Sequence, residues 1–349
     1  MRVFHELERH HHEESRLMSG KYPKRILYSG YLVFSTLIML EIGVRFWGYS
    51  EHHIYDPIYT QFESSKDIPY VHKPNLLQAR GRGLAVMNTD SLGLRSMISG
   101  TVYGQKEPDE YRIGIVGDSI TFGEGVHDTA DTFPQVLEDL LNQSQKRKVK
   151  VFNFGSSAYS LREMLATLSH RMVDIQPDLV VMAIGPPVFN LSRTPTIDSA
   201  GYLIDQTVFS LPIPETMYHF FRKVHLLYVL RDTIKHWFFH HRIIDSLPLD
   251  QDLPESYGYI QRFKETSENL GFHYVVLLLP RLKENPWGPL PDQMKQDSIR
   301  HLNLASLRKE FTRDQYMASR FDAHASPVVH HRIGESLAEY VQHQPGFVQ

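Results

Sequence analysis

The chain has 349 residues, 42% of them hydrophobic and 22% charged, which suits one large or two small folded domains. A formal net charge of −3 gives no electrostatic case for binding nucleic acid, and no such partner is expected. Cysteine is absent, which excludes disulfides, a thiol nucleophile and thiolate metal sites. The 20 histidines fall in part in runs such as His10-His11-His12 and His240-His241, whose neighbouring side chains point apart. No metal site and no organic cofactor is expected.

Residues 1–25 are polar, mixed in charge and without hydrophobic periodicity, and read as a tail. Ile26 to Val44 is an apolar run close to the ~20 residues needed to cross a ~30 Å hydrocarbon layer. Lys21, Lys24 and Arg25 precede it and Arg45, Trp47 and Tyr49 follow, the basic and aromatic anchors of two interfaces. Glu41 is the objection to a membrane span, and Arg45, four residues on, is placed to pair with it. A cleaved signal peptide and a buried core helix are the competing readings, but no A-x-A-like cleavage site follows the run. The expectation is an uncleaved transmembrane anchor over 26–48. Arg2, Arg9, Arg16, Lys21, Lys24 and Arg25 precede the run, whereas only Arg45 and Lys66 lie in the comparable stretch after it. That asymmetry predicts a cytoplasmic tail and a large domain outside.

Residues 49–110 hold no long helical pattern and read as an extracytoplasmic linker and β-rich lead-in. From 111 to 349 the pattern alternates. Ile113 to Val116 predicts a strand, Phe133–Gln143 a helix with Asp131 or Thr132 as its N-cap, and Val149–Asn153 a second strand. Leu161–Val173 predicts a helix, Asp178–Gly185 a strand apolar enough to be covered on both faces, Glu255–Leu270 a helix, and His273–Leu279 a strand. A last helix is expected over Val328–Gln342. Strands alternating with helices predict an α/β fold, a three-layer α/β/α sandwich around a mostly parallel sheet. The alternation breaks at about 191–253, an inserted helical segment. Its aromatic and basic part, 217–244, could be a lid, a face resting on a membrane or an extra packed helix.

The first strand runs into Gly117-Asp118-Ser119-Ile120. Gly117 lets the chain turn there and places Ser119 at the strand's carboxyl end, where open α/β sheets put their chemistry. No Gly-Lys-Ser/Thr follows these glycines, and Gly114 and Gly117 lack the dinucleotide-binding spacing, so neither phosphate motif applies. With Asn153-Phe154-Gly155-Ser156-Ser157-Ala158-Tyr159-Ser160 and Arg320-Phe321-Asp322-Ala323-His324-Ala325-Ser326-Pro327, the block resembles the SGNH (GDSL-type) serine hydrolases. Asn88 to Arg95 resembles an N-x-x-x-x-G-hydrophobic-R element that precedes the core in the membrane-anchored bacterial branch of that family. It reads equally as a surface hairpin with a Gly turn.

The resemblance implies an SGNH/flavodoxin-like fold and a serine esterase. A serine hydroxyl is a poor nucleophile until a base takes its proton, so Ser119 would attack, His324 would accept the proton and Asp322 would orient the imidazole. Gly117, Asp118 and Gly155 would support the site. The family spaces its last block D-x-x-H, whereas this chain has D-x-H. The oxyanion hole would use the backbone N–H groups of Ser119 and Ala158, the latter standing where the family has glycine. The third block departs further. Gly185-Pro186-Pro187-Val188 puts Pro187 where the family has its donor asparagine, and Asn190 is the nearest side chain able to substitute. The implied substrate is an O-acyl, above all O-acetyl, ester of a cell-envelope glycan, with the cytoplasmic membrane engaged through 26–48. A lipid esterase or thioesterase and a non-catalytic domain binding a glycan or a partner protein are the alternatives.

Overall fold

The computed structural model describes residues 22–144, 147–192, 194–204, 217, 220–243, 253–282 and 287–344. Residues 1–21 of the expected tail and much of 205–252 in the expected insertion lie outside the described residues.

The chain's first described element is helix α1, Tyr22–Trp47, 26 residues or about 39 Å of axis. It is long and apolar enough to cross a membrane, and none of the apolar window is buried against protein. The expected pair is present, with Arg45 Nε donating to Glu41 Oε1 at 2.9 Å. Glu41 also accepts the backbone N–H groups of His225 (3.0 Å) and Leu226 (2.7 Å), the first residues of a later helix, α4, His225–Ile243. A carboxylate in the first turn of a helix answers its unpaired N–H groups and its dipole, which is a reason for an acid in this apolar run.

Between α1 and the main sheet the chain makes short antiparallel pairings. Tyr59–Thr60 pairs with Val71–His72, and Ala79–Arg80, Val86–Thr89 and Arg95–Ser96 form a three-stranded sheet. Ile58, Tyr59, Ile68, Tyr70 and Met87 share one apolar cluster with residues of the main sheet, so this lead-in closes over one of its faces.

The main sheet contains β1 (Glu110–Gly117), β2 (Lys148–Gly155), β3 (Leu179–Ile184), β4 (His273–Leu278) and β5 (His301–Asn303). All neighbours are parallel, in the order β5-β4-β3-β1-β2. Helices α2 (Phe133–Ser144) and α6 (Pro327–His343) cover one face; α3 (Leu161–His170) and α5 (Leu253–Asn269) lie with the other. Strand β3 shows why both faces need cover. Val180, Met182 and Ile184 enter the α3/α5 cluster, and Leu179, Val181 and Ala183 enter the α2/α6 cluster. That is the period of two of a strand, here apolar on both sides as parallel sheets require. The expected three-layer α/β/α arrangement is what the chain forms.

Two features were not legible. The edge strand β5 is three residues long and ends in Asn303, too short and too polar to register as a strand. The segment before α6 forms an antiparallel hairpin, β6 (Met317–Ser319) with β7 (Asp322–Ala325). The second helix stops at His170, short of the expected Val173, because Arg171 leaves helical geometry and a 3-10 turn, Met172–Ile175, replaces the last turn.

Candidate active site

The strand order 2-1-3 reverses direction between β1 and β3, and open parallel sheets gather ligands at the carboxyl ends of the strands flanking such a switch. Ser119 sits there. Asp118 caps the short turn Ser119–Phe122, its Oδ1 accepting the Ile120 N–H at 3.0 Å. Burial pushes the Asp118 carboxyl up, opposed by that hydrogen bond and by the charge of Arg281. The turn is pressed against β1 and β2. A Cβ on Gly117 would stand 1.9 Å from Thr121 Oγ1, and one on Gly155 would stand 2.3 Å from the Phe122 nitrogen, so neither position admits a side chain. Asn153 ties the two blocks, donating to Thr121 O at 2.9 Å and accepting the Gly155 N–H at 3.0 Å.

The β6–β7 hairpin brings Asp322 and His324 to the serine. His324 Nδ1 is 2.6 Å from Asp322 Oδ1, and His324 Nε2 is 2.9 Å from Ser119 Oγ. A carboxylate only accepts, so Nδ1 carries the proton and Nε2 is left to accept from the serine hydroxyl. Asp322 is buried, which alone would raise its carboxyl, but its bonds to His324 and the imidazole's charge bring it down to about 2. Burial lowers His324 likewise, yet the bond to Asp322 and the charges of Glu124 and Asp322 outweigh it, and the imidazole is held above its ordinary value.

Glu124 is the part of this site that sequence reading missed. Only 2% exposed, it places Oε2 3.3 Å from His324 Nε2, while its Oε1 accepts a short hydrogen bond from the Ser157 hydroxyl and lies 3.9 Å from Arg82 Nη1. Glu124 reads in sequence as a polar residue in a glycine turn, and nothing in its spacing announces a contact with an imidazole 200 residues away. Arg95, the arginine of the lead-in motif, is also more than a hairpin residue. It is 5% exposed and donates to the carbonyls of Gly123 (2.7 Å), Val126 (2.8 Å) and Phe122 (3.3 Å), fastening the loop that carries Glu124.

At Ala158 the chain takes φ +66, a left-handed conformation that disfavours any side chain. Ala158 thus holds a backbone conformation that glycine adopts without strain. Among the described hydrogen bonds, neither the Ser119 nor the Ala158 N–H donates to a protein acceptor. An oxyanion hole needs backbone donors left unclaimed by the protein, and these two are candidates for one. The third block forms a 3-10 turn, Pro186–Phe189. Asn190, just beyond, uses its Oδ1 to accept the Ser192 hydroxyl at 2.6 Å, and no described hydrogen bond links it to Ser119 or Ala158. What approaches this corner is Arg281, after the end of β4. Its Nη1 lies 3.7 Å, and Asp118 Oδ2 3.5 Å, from the point where a Cβ on Gly185 would stand. Among the described residues Arg281 has no hydrogen-bond acceptor or ion-pair partner. No cluster of three or more metal-ligating side chains occurs among the described residues.

No protein-family model and no curated protein matches the chain. Solved structures that it resembles include a member of the lipolytic protein G-D-S-L family from Veillonella parvula DSM 2008, at 11% identity and TM-score 0.40, covering 67% of this chain and 100% of that one. Another is a lipase/acylhydrolase from Enterococcus faecalis, at 12% identity and TM-score 0.40, covering 66% and 95%. The acetylxylan esterase Axe2 from Geobacillus stearothermophilus follows at 12% identity and TM-score 0.38, covering 68% and 95%.

Proposed function

We propose that this chain is an SGNH-type serine hydrolase that cleaves or transfers O-acyl groups, above all O-acetyl groups, on a cell-envelope glycan. Residues 26–48 anchor it in the cytoplasmic membrane, and 49–349 lie outside. The observation that carries the reading is the continuous line from Asp322 through His324 to Ser119, with contacts of 2.6 and 2.9 Å. His324 Nε2 takes the Ser119 proton as Oγ adds to the ester carbonyl. The tetrahedral oxyanion is met by the Ser119 and Ala158 N–H groups. His324 then returns the proton to the leaving alcohol, and water or a sugar hydroxyl, deprotonated by the same nitrogen, releases the acyl group. Asp322 stays ionised and holds the imidazolium.

The orientation rests on the excess of Lys and Arg before the apolar run. One observation favours a second reading, a non-catalytic binding domain: Pro187 supplies neither a side-chain donor nor an N–H where the family donates a third hydrogen bond. Loss of one such donor slows comparable enzymes by about 10²–10³ rather than silencing them, so weak turnover is the expected outcome. The test is hydrolysis of nitrophenyl acetate and of longer-chain nitrophenyl esters by the full chain in detergent. Turnover that prefers acetate and vanishes in Ser119→Ala supports the esterase. Inertness toward the whole series supports the binder.

A further inference from the structure

The hairpin that carries Asp322 and His324 is docked onto the end of the apolar helix α1. The Phe321 ring packs edge-on against Trp47 (centroids 5.3 Å apart) and Tyr49 (5.1 Å). Arg320 Nη2 donates to the Trp47 carbonyl at 3.0 Å, and Ser319 Oγ meets His52 Nε2 at 3.2 Å. Three consecutive residues of the hairpin thus grip the stretch from Trp47 to His52, and Asp322 follows directly. Three Cα steps from Phe321 to His324 span at most about 11 Å, so the imidazole cannot lie far from the end of α1.

Six residues before Trp47, Glu41 holds the first turn of α4, and that length of helix puts the cap about 9 Å below Trp47 along the axis. Phe46, next to Trp47 on α1, is 89% exposed, and on α4, whose Asp232 accepts the Tyr49 hydroxyl at 2.9 Å, Leu230 (51%) and Ile234 (46%) are exposed as well. Exposed apolar side chains on the end of a candidate span and on the helix packed beside it suit the interfacial layer of a bilayer, where Trp and Tyr side chains settle.

We infer that the end of α1 fixes the β6–β7 hairpin, and with it the Ser119–His324 pair, at the headgroup level of the membrane. The substrate class is then an ester carried by an amphiphile seated in the outer leaflet, whether the acyl group sits on a lipid or on a lipid-linked sugar. The substrate class rests on the esterase reading above; the placement of the site does not.

Because the chain has no cysteine, Ala323→Cys gives a single labelling position on the exposed residue between Asp322 and His324. Asp109→Cys marks the amino end of β1, which runs Glu110–Gly117, about 26 Å from its carboxyl end. The full-length variants, carrying a nitrobenzoxadiazole label, are placed in phosphatidylcholine vesicles containing a headgroup nitroxide lipid. The label at 323 should be quenched and the label at 109 should not. If the label at 323 prevents folding, Val328→Cys, exposed in the first turn of α6, takes its place. Equal quenching at both ends, or none at 323, overturns the placement. In the same vesicles the unlabelled chain is offered umbelliferyl acetate with and without a hexadecyl tail. Confinement to the surface should favour the tailed ester by about tenfold or more. Equal turnover of the two overturns the substrate class while leaving the esterase standing. Inertness toward both sinks the esterase reading and the substrate class together, while the quenching result still decides where the site lies.

Discussion

Glu124 Oε2 stands 3.3 Å from His324 Nε2, the same nitrogen that faces Ser119 Oγ at 2.9 Å. A carboxylate there repels the lone pair of a neutral imidazole and attracts the N–H of an imidazolium. It stabilises the charged form that appears once the serine proton has moved, and it also makes the resting base harder to deprotonate. Other charged groups that bear on His324 are Asp322 and Asp118, which favour the imidazolium, and Arg82, which opposes it.

The first prediction is a pH profile. His324 must be neutral to act as a base, so kcat/KM should fall as pH drops through its pKa, which lies above the ordinary histidine value. Glu124→Gln removes one of the charges that hold it there and should move that fall to lower pH. On the alkaline plateau the rate should change by less than about tenfold, since the general base itself is intact. A profile with an unmoved midpoint would show that Glu124 only packs the loop.

The oxyanion corner yields a second test. A left-handed alanine is strained by roughly 1–2 kcal/mol, while glycine gives back about 0.5–1 kcal/mol of backbone entropy. Ala158→Gly should therefore raise stability by between about 0 and 1.5 kcal/mol and leave turnover undiminished, read by thermal melting and acetate-ester kinetics. A large loss of turnover would mean that the methyl group, not the N–H, matters at this position.

A third concerns the missing asparagine. Asn190 is committed to Ser192, whereas Arg281 brings a guanidinium to the corner between Asp118 and Gly185. Arg281→Ala should cost more turnover than Asn190→Ala, with the latter under about tenfold and the former toward the ~10² of a lost donor. The reverse order would return the role to Asn190.

Arg95 supports the fourth. Its removal leaves the buried carbonyl of Val126 without its donor, at about 1–3 kcal/mol, and takes one of two donors from Gly123, which keeps the Val126 N–H. Arg95→Ala should lower the melting temperature markedly, and Arg95→Lys should not restore it, because one ammonium cannot span carbonyls that a planar fork reaches together. A lysine variant as stable as the parent would show that charge alone suffices.

The sheet was legible because β3 and β4 are apolar runs bounded by turn residues, the pattern that burial on both faces imposes, β1 carries one in Ile113–Val116, and β2 alternates. The serine could be read for a related reason: a glycine directly after a buried strand leaves few places for the next side chains to go. Asp322 and His324 came from a block resemblance, and the hairpin beneath them did not announce itself in alternating apolar residues. Glu124 and Arg281 were invisible because their meaning lies in contacts across the sheet's carboxyl edge, set by packing and not by spacing. Glu41 looked like a defect in an apolar run until the first turn of α4 supplied its partners.

The central claim is that Ser119 is a nucleophile activated by His324. Its most direct test is reaction of the full chain with a fluorophosphonate, followed by mass spectrometry of the modified peptide. The account predicts a single adduct on Ser119, forming faster as pH rises through the His324 titration and lost in both Ser119→Ala and His324→Ala. A folded chain that takes up no phosphonate, or takes it up elsewhere, would contradict it.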